Sequence, residues 1–161
     1  MKRVLMLVEN LPAPFDRRVW QEAEALRDAG YTVSIICPTG PGCERRFEAI
    51  DAIHIYRYPL PFEASGALGY FLEYAVALAQ VFWLSWRVFL TRGFDVVHAC
   101  NPPDLFFLIG ALFKLLGRKF VFDHHDLNPE LYQAKFGRRD FFYRLLLRLE
   151  ALSFRLADAS I

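Results

Sequence analysis

The sequence predicts an α/β fold, an open parallel sheet with helices on both of its faces. Short apolar runs rich in branched residues alternate with segments of helical periodicity, which is typical of a sheet buried on both sides. The chain also opens with a strand–helix–strand unit over residues 4–37. Finally, the apolar run at 119–122 ends in the ionisable stretch Asp123 to Asp126, where open α/β sheets place their ligands.

Length, charge and hydropathy restrict the classes of function. The 161 residues are enough for one domain with its own core, and a net charge of +1 gives no field that would favour nucleic acid as a partner. Hydrophobic residues make up 55% of the chain, above the usual share of about 45–50%. We therefore expect either a deeply buried domain or an apolar surface that binds something else.

Cysteine usage and the N-terminus indicate a cytoplasmic protein. Cys37, Cys43 and Cys100 are an odd number of cysteines without Cys-x-x-Cys spacing. This predicts reduced thiols, and neither a zinc site nor a disulfide framework. The first apolar run is five residues long and ends before Glu9, so it predicts a first strand and not a secretory signal.

The opening unit is predicted in order. Val4–Val8 is a short buried strand. Asp16 is the expected N-cap of a helix from Arg17 to Ala29, and Gly30 ends that helix. Tyr31–Cys37 is the second strand. The unit lacks Gly-x-Gly-x-x-Gly and therefore lacks the fingerprint of a dinucleotide-binding site.

The middle of the chain is predicted as a loop, a strand and a long apolar helix. We expect the loop over Pro38–Asp51 and the third strand, toward an edge of the sheet, over Ile53–Tyr58. Within the apolar segment Tyr70–Leu90, only thirteen residues separate Glu73 from Arg87, whereas a bilayer span takes about 20. We expect a helix packed on the sheet. The alternative is partial embedding at a membrane surface or contact with a lipid-like substrate.

The second half of the chain continues the alternation. Asp95–Cys100 is the fourth strand, and Asp104 is the expected cap of a helix over Leu105–Leu116. Lys119–Phe122 is the fifth strand. Asn128, followed by proline and glutamate, predicts the start of the next helix.

The last helix, from Asp140 to Ala157, has an apolar face and a basic stripe. The apolar face is expected to pack on the core and comprises Phe141, Leu145, Leu149, Leu152 and Leu156. The stripe of Arg144, Arg148 and Arg155 predicts solvated arginines, with contact to an anionic membrane as the alternative. The chain then ends at Ile161 in what resembles the start of a further strand. We therefore expect a piece of a longer protein, truncated within or beside the sheet.

Ionisable side chains lie at or just after the ends of the predicted strands: His98, Asp104, Asp123, His124, His125 and Asp126. Adjacent strand residues point to opposite faces, so His124 and His125 are not expected to share an ion, and no metal is predicted. We expect one histidine to act as an acid, a base or a charge-stabilising group, since imidazole titrates near neutrality. His98 is alternatively a hydrogen-bonded core histidine. Arg17 and Arg18, at a helix start, predict phosphate binding or ordinary surface arginines.

Three stretches together resemble a known family: Phe15-Asp-Arg-Arg-Val-Trp-Gln-Glu-Ala23, Asp95-Val-Val-His98 and Asp123-His-His-Asp126. They resemble the N-terminal half of GT-B glycosyltransferases, most closely family 4, retaining enzymes that use nucleotide sugars to build polysaccharides and glycolipids. The resemblance covers essentially the whole chain. It implies one Rossmann-like domain over residues 1–161 that holds the acceptor. The nucleotide-sugar-binding domain, with its Glu-x7-Glu element, is then absent from this chain.

The resemblance also implies site residues. His125 is the expected catalytic residue, held by Asp126, and His124 replaces it if the register shifts by one. The expected acceptor and cleft residues are Asn10, Pro14, Arg17, Arg18, His98, Asn101 and His124. The first loop departs from the family because it carries Leu11-Pro-Ala-Pro14 where many relatives have Gly-Gly to let phosphate approach.

The function that the resemblance implies is transfer of a sugar from a nucleotide-sugar donor to a membrane-associated acceptor, lipid-linked or polysaccharide. The fragment alone is expected to be inactive. No cofactor is expected, and the nucleotide sugar is a co-substrate bound mainly by the absent domain. The expected partners are the sugar acceptor and the cytoplasmic surface of the membrane, and nucleic acid is not expected. Two copies of the chain are also expected to associate through the incomplete edge of the sheet. The alternatives are a GT-B sugar-nucleotide epimerase and a non-catalytic membrane-docking or protein-binding module.

Overall fold

The computed structural model describes residues 2–59 and 66–161, with the backbone alone over residues 66–74. Within these residues lie seven strands and five helices. In chain order they are β1 (Arg3–Leu7), α1 (Arg17–Asp28), β2 (Thr32–Pro38), β3 (Phe47–Ile50), β4 (Ile53–Tyr58), α2 (Gly66–Thr91), β5 (Val96–Cys100), α3 (Phe107–Leu115), β6 (Lys119–Asp123), α4 (Asn128–Phe136), α5 (Phe141–Leu156) and β7 (Ala159–Ser160). The predicted α/β fold is confirmed.

The strands form one sheet in the order β3-β4-β2-β1-β5-β6-β7. All neighbouring strands pair in parallel except β3 and β4, which are antiparallel. β1, β5 and β6 are consecutive in the sheet and point the same way. Their carboxyl ends therefore lie side by side, at the end of the sheet where open α/β folds bind ligands.

Helices cover both faces of the sheet, as the sequence predicts. Alternate residues of β1 point to opposite faces. Leu5 and Leu7 belong to the core shared with α2, α3 and α5, and Val4 and Met6 belong to the core shared with α1. The strands are apolar on both sides because neither face meets water.

β3 is an element that the sequence analysis missed. The predicted loop over Pro38–Asp51 is wrong in its last part, because Phe47–Ile50 pairs with β4 in a hairpin. Asp51 and Ala52 form the turn, and both have positive φ. Turns of this conformation favour glycine or asparagine, so an alanine in the turn hides the hairpin from sequence reading.

Helix α2 packs one face on the sheet. Val81, Leu84 and Val88 are buried at helical spacing, while Trp83 on another face is 61% exposed. The predicted packing on the sheet is confirmed for the buried face, and Glu73 lies outside the described side chains. Among the residues that the structure describes, no helix combines the length and the apolar character needed to cross a membrane.

Helix α5 is rotated relative to the sequence prediction. Of the five residues of its predicted core face, Leu149 and Leu156 pack against the core, but Phe141, Leu145 and Leu152 are exposed. The fully buried residue is Ser153, whose Oγ lies 3.1 Å from the main-chain oxygen of Asp104. A small side chain lets the helix approach its neighbours closely, and the hydroxyl finds a partner, so packing overrides the apolar pattern.

The last strand, β7, pairs with β6 in parallel, with Val121 opposite Ala159. A strand is therefore present near the end of the chain, but it covers Ala159–Ser160 and does not begin at Ile161 as the sequence predicts. Asp158 fixes this edge, since its Oδ2 accepts a hydrogen bond from the main-chain nitrogen of Phe120 at 2.9 Å. Association of two copies through this edge stays a prediction.

Candidate active site

A cavity of about 310 Å³ lies at the carboxyl ends of β1, β5 and β6. A second cavity, of about 330 Å³, lies at the amino ends of the strands around Arg3, Arg92 and Arg118. We take the first as the candidate site because open α/β sheets bind ligands at the carboxyl ends of their strands. Its polar lining residues are Asn10, Asp16, Arg18, Asn101, His125 and Asp126.

Asp123, the last residue of β6, connects the walls of this site. Its side chain is fully buried, and its Oδ2 lies 2.6 Å from Nε2 of His125 and 3.1 Å from Nε2 of His98. Its Oδ1 accepts a hydrogen bond from Nη2 of Arg18 at 2.9 Å. The three donors come from α1, β5 and the segment after β6, so one carboxyl group ties three elements together.

The protonation state of Asp123 follows from these contacts. Burial alone would raise the pKa of Asp123, but hydrogen bonds from His125 and His98 and their charges hold that pKa well below its usual value. The group is therefore ionised at neutral pH and can only accept hydrogen bonds. A buried carboxylate is tolerated here because both of its oxygens are bonded.

Glu22 adds a second carboxyl group one helical turn after Arg18. Nε of Arg18 donates to Oε1 of Glu22 at 3.2 Å, so the guanidinium bridges Glu22 and Asp123. Oε2 of Glu22 lies 3.7 Å from Nε2 of His98. Burial, and then the negative charge of Asp123, raise the pKa of Glu22. Of the two carboxyl groups, Glu22 is thus the one that takes up a proton more readily.

Four side chains of the site have the chemistry of metal ligands. Glu22, His98, Cys100 and Asp123 place ligand atoms within 4.8 Å of one another. However, the guanidinium of Arg18 already pairs with both carboxyl groups, so its positive charge competes with a metal cation there. Burial, and then the charge of Asp123, raise the pKa of Cys100 well above its usual value, so a metal that bound here would have to displace a proton from the thiol. The absence of a metal stays a prediction.

The neighbouring histidines contact different elements, as expected for adjacent residues of an extended chain. His125 lines the cavity and bonds to Asp123. Nε2 of His124 instead lies 3.2 Å from Oε2 of Glu150 on α5, and its ring meets the ring of Phe154 edge to face. Of the two, His125 is the histidine at the cavity.

Asn101, directly after β5, holds the segment that carries His125. Its Oδ1 accepts hydrogen bonds from the main-chain nitrogens of His125 and Asp126, and its Nδ2 donates to the main-chain oxygen of Asp126 at 2.7 Å. Oδ1 of Asp104 accepts a hydrogen bond from Nδ2 of Asn101 at 3.0 Å, and Oδ2 of Asp104 accepts one from Nδ2 of Asn128 at 2.8 Å. The predicted cap role of Asp104 is wrong, because its side chain serves this clamp. The predicted helix start at Asn128 is confirmed, although the side chain of Asn128 bonds to Asp104 and caps no helix.

Comparison with known proteins identifies the family. The family model described as "Glycosyl transferase 4-like domain" matches residues 16–161. The chain belongs to this family. The resemblance seen in the sequence is therefore confirmed for an N-terminal domain of family 4 type.

Two solved structures share the fold of this glycosyl transferase 4-like domain. Sucrose-phosphate synthase from Thermosynechococcus elongatus has a TM-score of 0.67 at 16% identity, over 99% of this chain and 42% of that chain. A second structure named for the same enzyme has a TM-score of 0.61 at 13% identity, over 97% of this chain and 74% of that chain. At these identities the likeness shows the fold alone. The chain spans less than half the length of the first structure.

The glycosyl transferase 4-like domain brings most of the predicted site residues together. Asn10, Arg18, Asn101, His125 and Asp126 line the cavity, and His98 joins them through Asp123. Three predicted residues lie elsewhere: Arg17 is exposed, Pro14 is half-buried in the loop after β1, and His124 faces α5. The catalytic and binding roles of all these residues stay predictions.

The aspartate that holds His125 is Asp123 and not the predicted Asp126. Asp126 contributes its main chain to the clamp, whereas the side chain that bonds the imidazole is Asp123. A signal for this existed, because residues i and i+2 of an extended chain point to the same side. Glu22 was also missed, although residues four apart on a helix are neighbours and Arg18 precedes it at that spacing.

Proposed function

We propose that this chain is the acceptor-binding N-terminal part of a retaining glycosyltransferase that uses a nucleotide sugar. The observation that supports this best is the imidazole of His125, held by a buried carboxylate at the polar cavity of a glycosyl transferase 4-like domain. A second domain would bind most of the donor, so the chain alone is expected to be inactive. The nucleotide sugar is a co-substrate, and no cofactor is proposed.

The cavity has the functional groups that sugar recognition needs. Asn10 offers an amide, Asp126 a carboxyl group and Arg18 a guanidinium that is half exposed despite its ion pairs. Amides and carboxylates form hydrogen bonds with sugar hydroxyls, and a guanidinium suits the phosphate of a donor. The lining therefore fits a polar, hydroxyl-rich ligand better than an apolar one.

His125 is placed to act on the transition state of sugar transfer. Positive charge grows on the sugar ring while negative charge grows on the departing phosphate. An imidazole at the cavity can accept a hydrogen bond from a sugar hydroxyl, and the ionised Asp123 behind its other nitrogen makes the ring a better acceptor. Interactions that strengthen in the transition state raise turnover more than they raise substrate affinity.

The proposal is tested on a protein that carries this domain together with a nucleotide-sugar-binding domain. It is incubated with a panel of nucleotide sugars and with lipid-linked and oligosaccharide acceptors, and the released nucleotide and the anomeric configuration of the product are measured. We expect acceptor-dependent nucleotide release with retention of configuration. A folded protein that binds donor but transfers sugar to no acceptor would contradict the proposal.

We further propose that the acceptor lies at the cytoplasmic surface of a membrane. The support is the outward face of α5, on which Phe141, Leu145, Arg148 and Leu152 recur at the spacing i, i+4, i+7 and i+11 and are exposed. Arg144 and Arg155 flank this face. The one acidic residue of α5, Glu150, points inward to His124. Apolar and cationic side chains without carboxylates match an anionic phospholipid surface.

A non-catalytic membrane-docking module is the second candidate function. The exposed face of α5 favours this candidate, since such a face could bind a membrane without any catalysed reaction. The two candidates differ in what His125 does. A docking module would bind anionic vesicles and show no change in any reaction when His125 is replaced.

A further inference from the structure

The two oxygens of Asp123 have separate partners. Oδ1 accepts from the guanidinium of Arg18 at 2.9 Å, and Oδ2 faces Nε2 of both His125 and His98. The thiol of Cys100 lies 3.8 Å from the same Oδ2. Since the side chain is fully buried, water does not replace any of these partners. The carboxylate is thus oriented from one side by a cation that cannot lose its proton.

This orientation fixes the proton on each imidazole. An ionised carboxylate offers no hydrogen to a histidine, so a ring nitrogen at 2.6 Å from Oδ2 must itself carry the hydrogen. We propose that Asp123 is the positioning residue of His125: it holds the ring with Nε2 protonated against the buried carboxylate and leaves Nδ1 as the acceptor available to a ligand in the cavity. His98, bonded to the same oxygen, carries its hydrogen on Nε2 for the same reason.

As a consequence, His125 offers the cavity a hydrogen-bond acceptor and no donor. A neutral imidazole has one donor and one acceptor nitrogen, and here the donor is used inside the protein. A ligand therefore meets His125 as an acceptor and must bring a hydroxyl or another donor. That the donor is a sugar hydroxyl rests on the proposed function, whereas the tautomer does not.

Asp123→Asn should invert the tautomer. Arg18 requires an acceptor at the position of Oδ1, so the asparagine carbonyl turns toward Arg18 and its amide NH₂ takes the position of Oδ2. The NH₂ group then donates to Nε2 of His125, and the hydrogen moves to Nδ1. In a protease triad the equivalent aspartate-to-asparagine change leaves the geometry intact and lowers kcat by about 10⁴ through the wrong tautomer.

The experiment is ¹⁵N NMR of the histidine side chains at a pH at which the rings are neutral. Protonated and unprotonated ring nitrogens have well-separated shifts, so the tautomer is read directly. We expect a protonated Nε2 for His125 in the wild-type chain and a protonated Nδ1 in Asp123→Asn. Glu150→Gln is the matched control, because it changes the partner of His124 and should leave His125 unchanged.

An unchanged tautomer of His125 in a folded Asp123→Asn variant would overturn the proposal. If that variant does not fold, the wild-type chain supplies the test. A hydrogen on Nε2 held at 2.6 Å from a buried carboxylate should give a downfield, slowly exchanging proton signal correlated with Nε2 of His125. Absence of that signal at low temperature would also overturn the proposal.

A kinetic measurement connects the tautomer to the reaction. In the two-domain protein, Asp123→Asn and His125→Ala should each lower kcat by about 10² or more, and the double variant should lose little beyond the larger single effect, because the two residues act as a unit. Together, the NMR and the kinetics distinguish the positioning role of Asp123 from the proposed transferase function. If the NMR shows the inversion but no transfer occurs in any protein, the positioning role stands and the proposed function fails.

Discussion

His98 and His125 share one acceptor, the Oδ2 atom of Asp123, at 3.1 and 2.6 Å. The first histidine belongs to β5 and the second follows β6, so the shared oxygen couples two neighbouring strand ends. Arg18 on α1 completes the arrangement through Oδ1. A residue that looks like a core histidine in the sequence is therefore part of the support for the residue at the cavity.

The first prediction concerns the two neighbouring histidines. In the two-domain protein, His125→Ala should lower kcat by about 10²–10³, or roughly 2.7–4 kcal/mol, with little change in the KM for donor, because a contact specific to the transition state is lost. His124→Ala is the control and should act mainly on stability, since His124 contacts Glu150 and Phe154. Steady-state kinetics and thermal melting are measured on both. A larger kinetic effect for His124→Ala would mean that the wrong histidine is placed at the cavity.

A second prediction follows from the lowered pKa of Asp123. Its pKa in the folded protein lies below its unfolded value, which is about 3.9. The stabilisation by ionised Asp123 is therefore complete above that value and is lost as the pH falls below it. Wild type should exceed Asp123→Asn by about 3 kcal/mol in the free energy of unfolding at pH 5. This advantage should shrink by about 1 kcal/mol at pH 3.

Urea denaturation at pH 5 and pH 3 measures this difference. Asp28→Asn is a suitable control because Asp28 is an exposed aspartate paired with Arg27, and its effect should stay within about 0.5 kcal/mol at both values. An advantage of wild type that is constant down to pH 3 would show that Asp123 is not bonded as an anion.

A third prediction tests the rotation of α5. Ser153→Leu should destabilise the fold by about 1–3 kcal/mol, because the larger side chain has no room at a fully buried position. Leu152→Ser should stay within about 0.5 kcal/mol, because Leu152 is exposed. Chemical denaturation of the two variants gives the comparison. The reverse order of effects would restore the orientation that the sequence pattern predicted.

The rotation of α5 shows where sequence reasoning stops. The strands β1, β2, β5 and β6 follow from apolar runs, because a strand buried on both faces leaves a continuous signature. The apolar residues of α5 have an equally regular spacing, yet the pattern does not say whether they meet the core or an external partner. Ser153 decides the matter through close packing and a bond to Asp104, neither of which has a sequence signature.

The position of the candidate site in the fold could be predicted from the sequence, but the hydrogen bonds between its side chains could not. His125 and Asn101 follow strands, so their meeting at one end of the sheet could be expected. The pairing of His125 with Asp123 and not Asp126 depends on the path of the chain after β6, which Asn101 fixes by accepting from two main-chain nitrogens. Glu22 belongs to the site only because the fold brings its side chain on α1 to 3.7 Å from His98 of β5, a tertiary contact that no local pattern reports.

The last prediction concerns the outward face of α5. At low salt, the domain should float with vesicles that contain anionic phospholipid and should not float with neutral ones. Arg148→Glu should weaken this binding by on the order of tenfold, because each basic residue near an anionic surface contributes about 1 kcal/mol. Arg46→Glu is the matched control: it makes the same change in net charge at an exposed position beside β3, at the opposite edge of the sheet from β7.

Phe141→Ser should also weaken binding, since its ring is 65% exposed on this face. Raising the salt to about 1 M, where the screening length falls to roughly 3 Å, should release most of the bound protein. Equal loss of binding in Arg148→Glu and Arg46→Glu would show that net charge acts and not this face, and no flotation at low salt would remove the membrane from the proposal while leaving sugar transfer untouched.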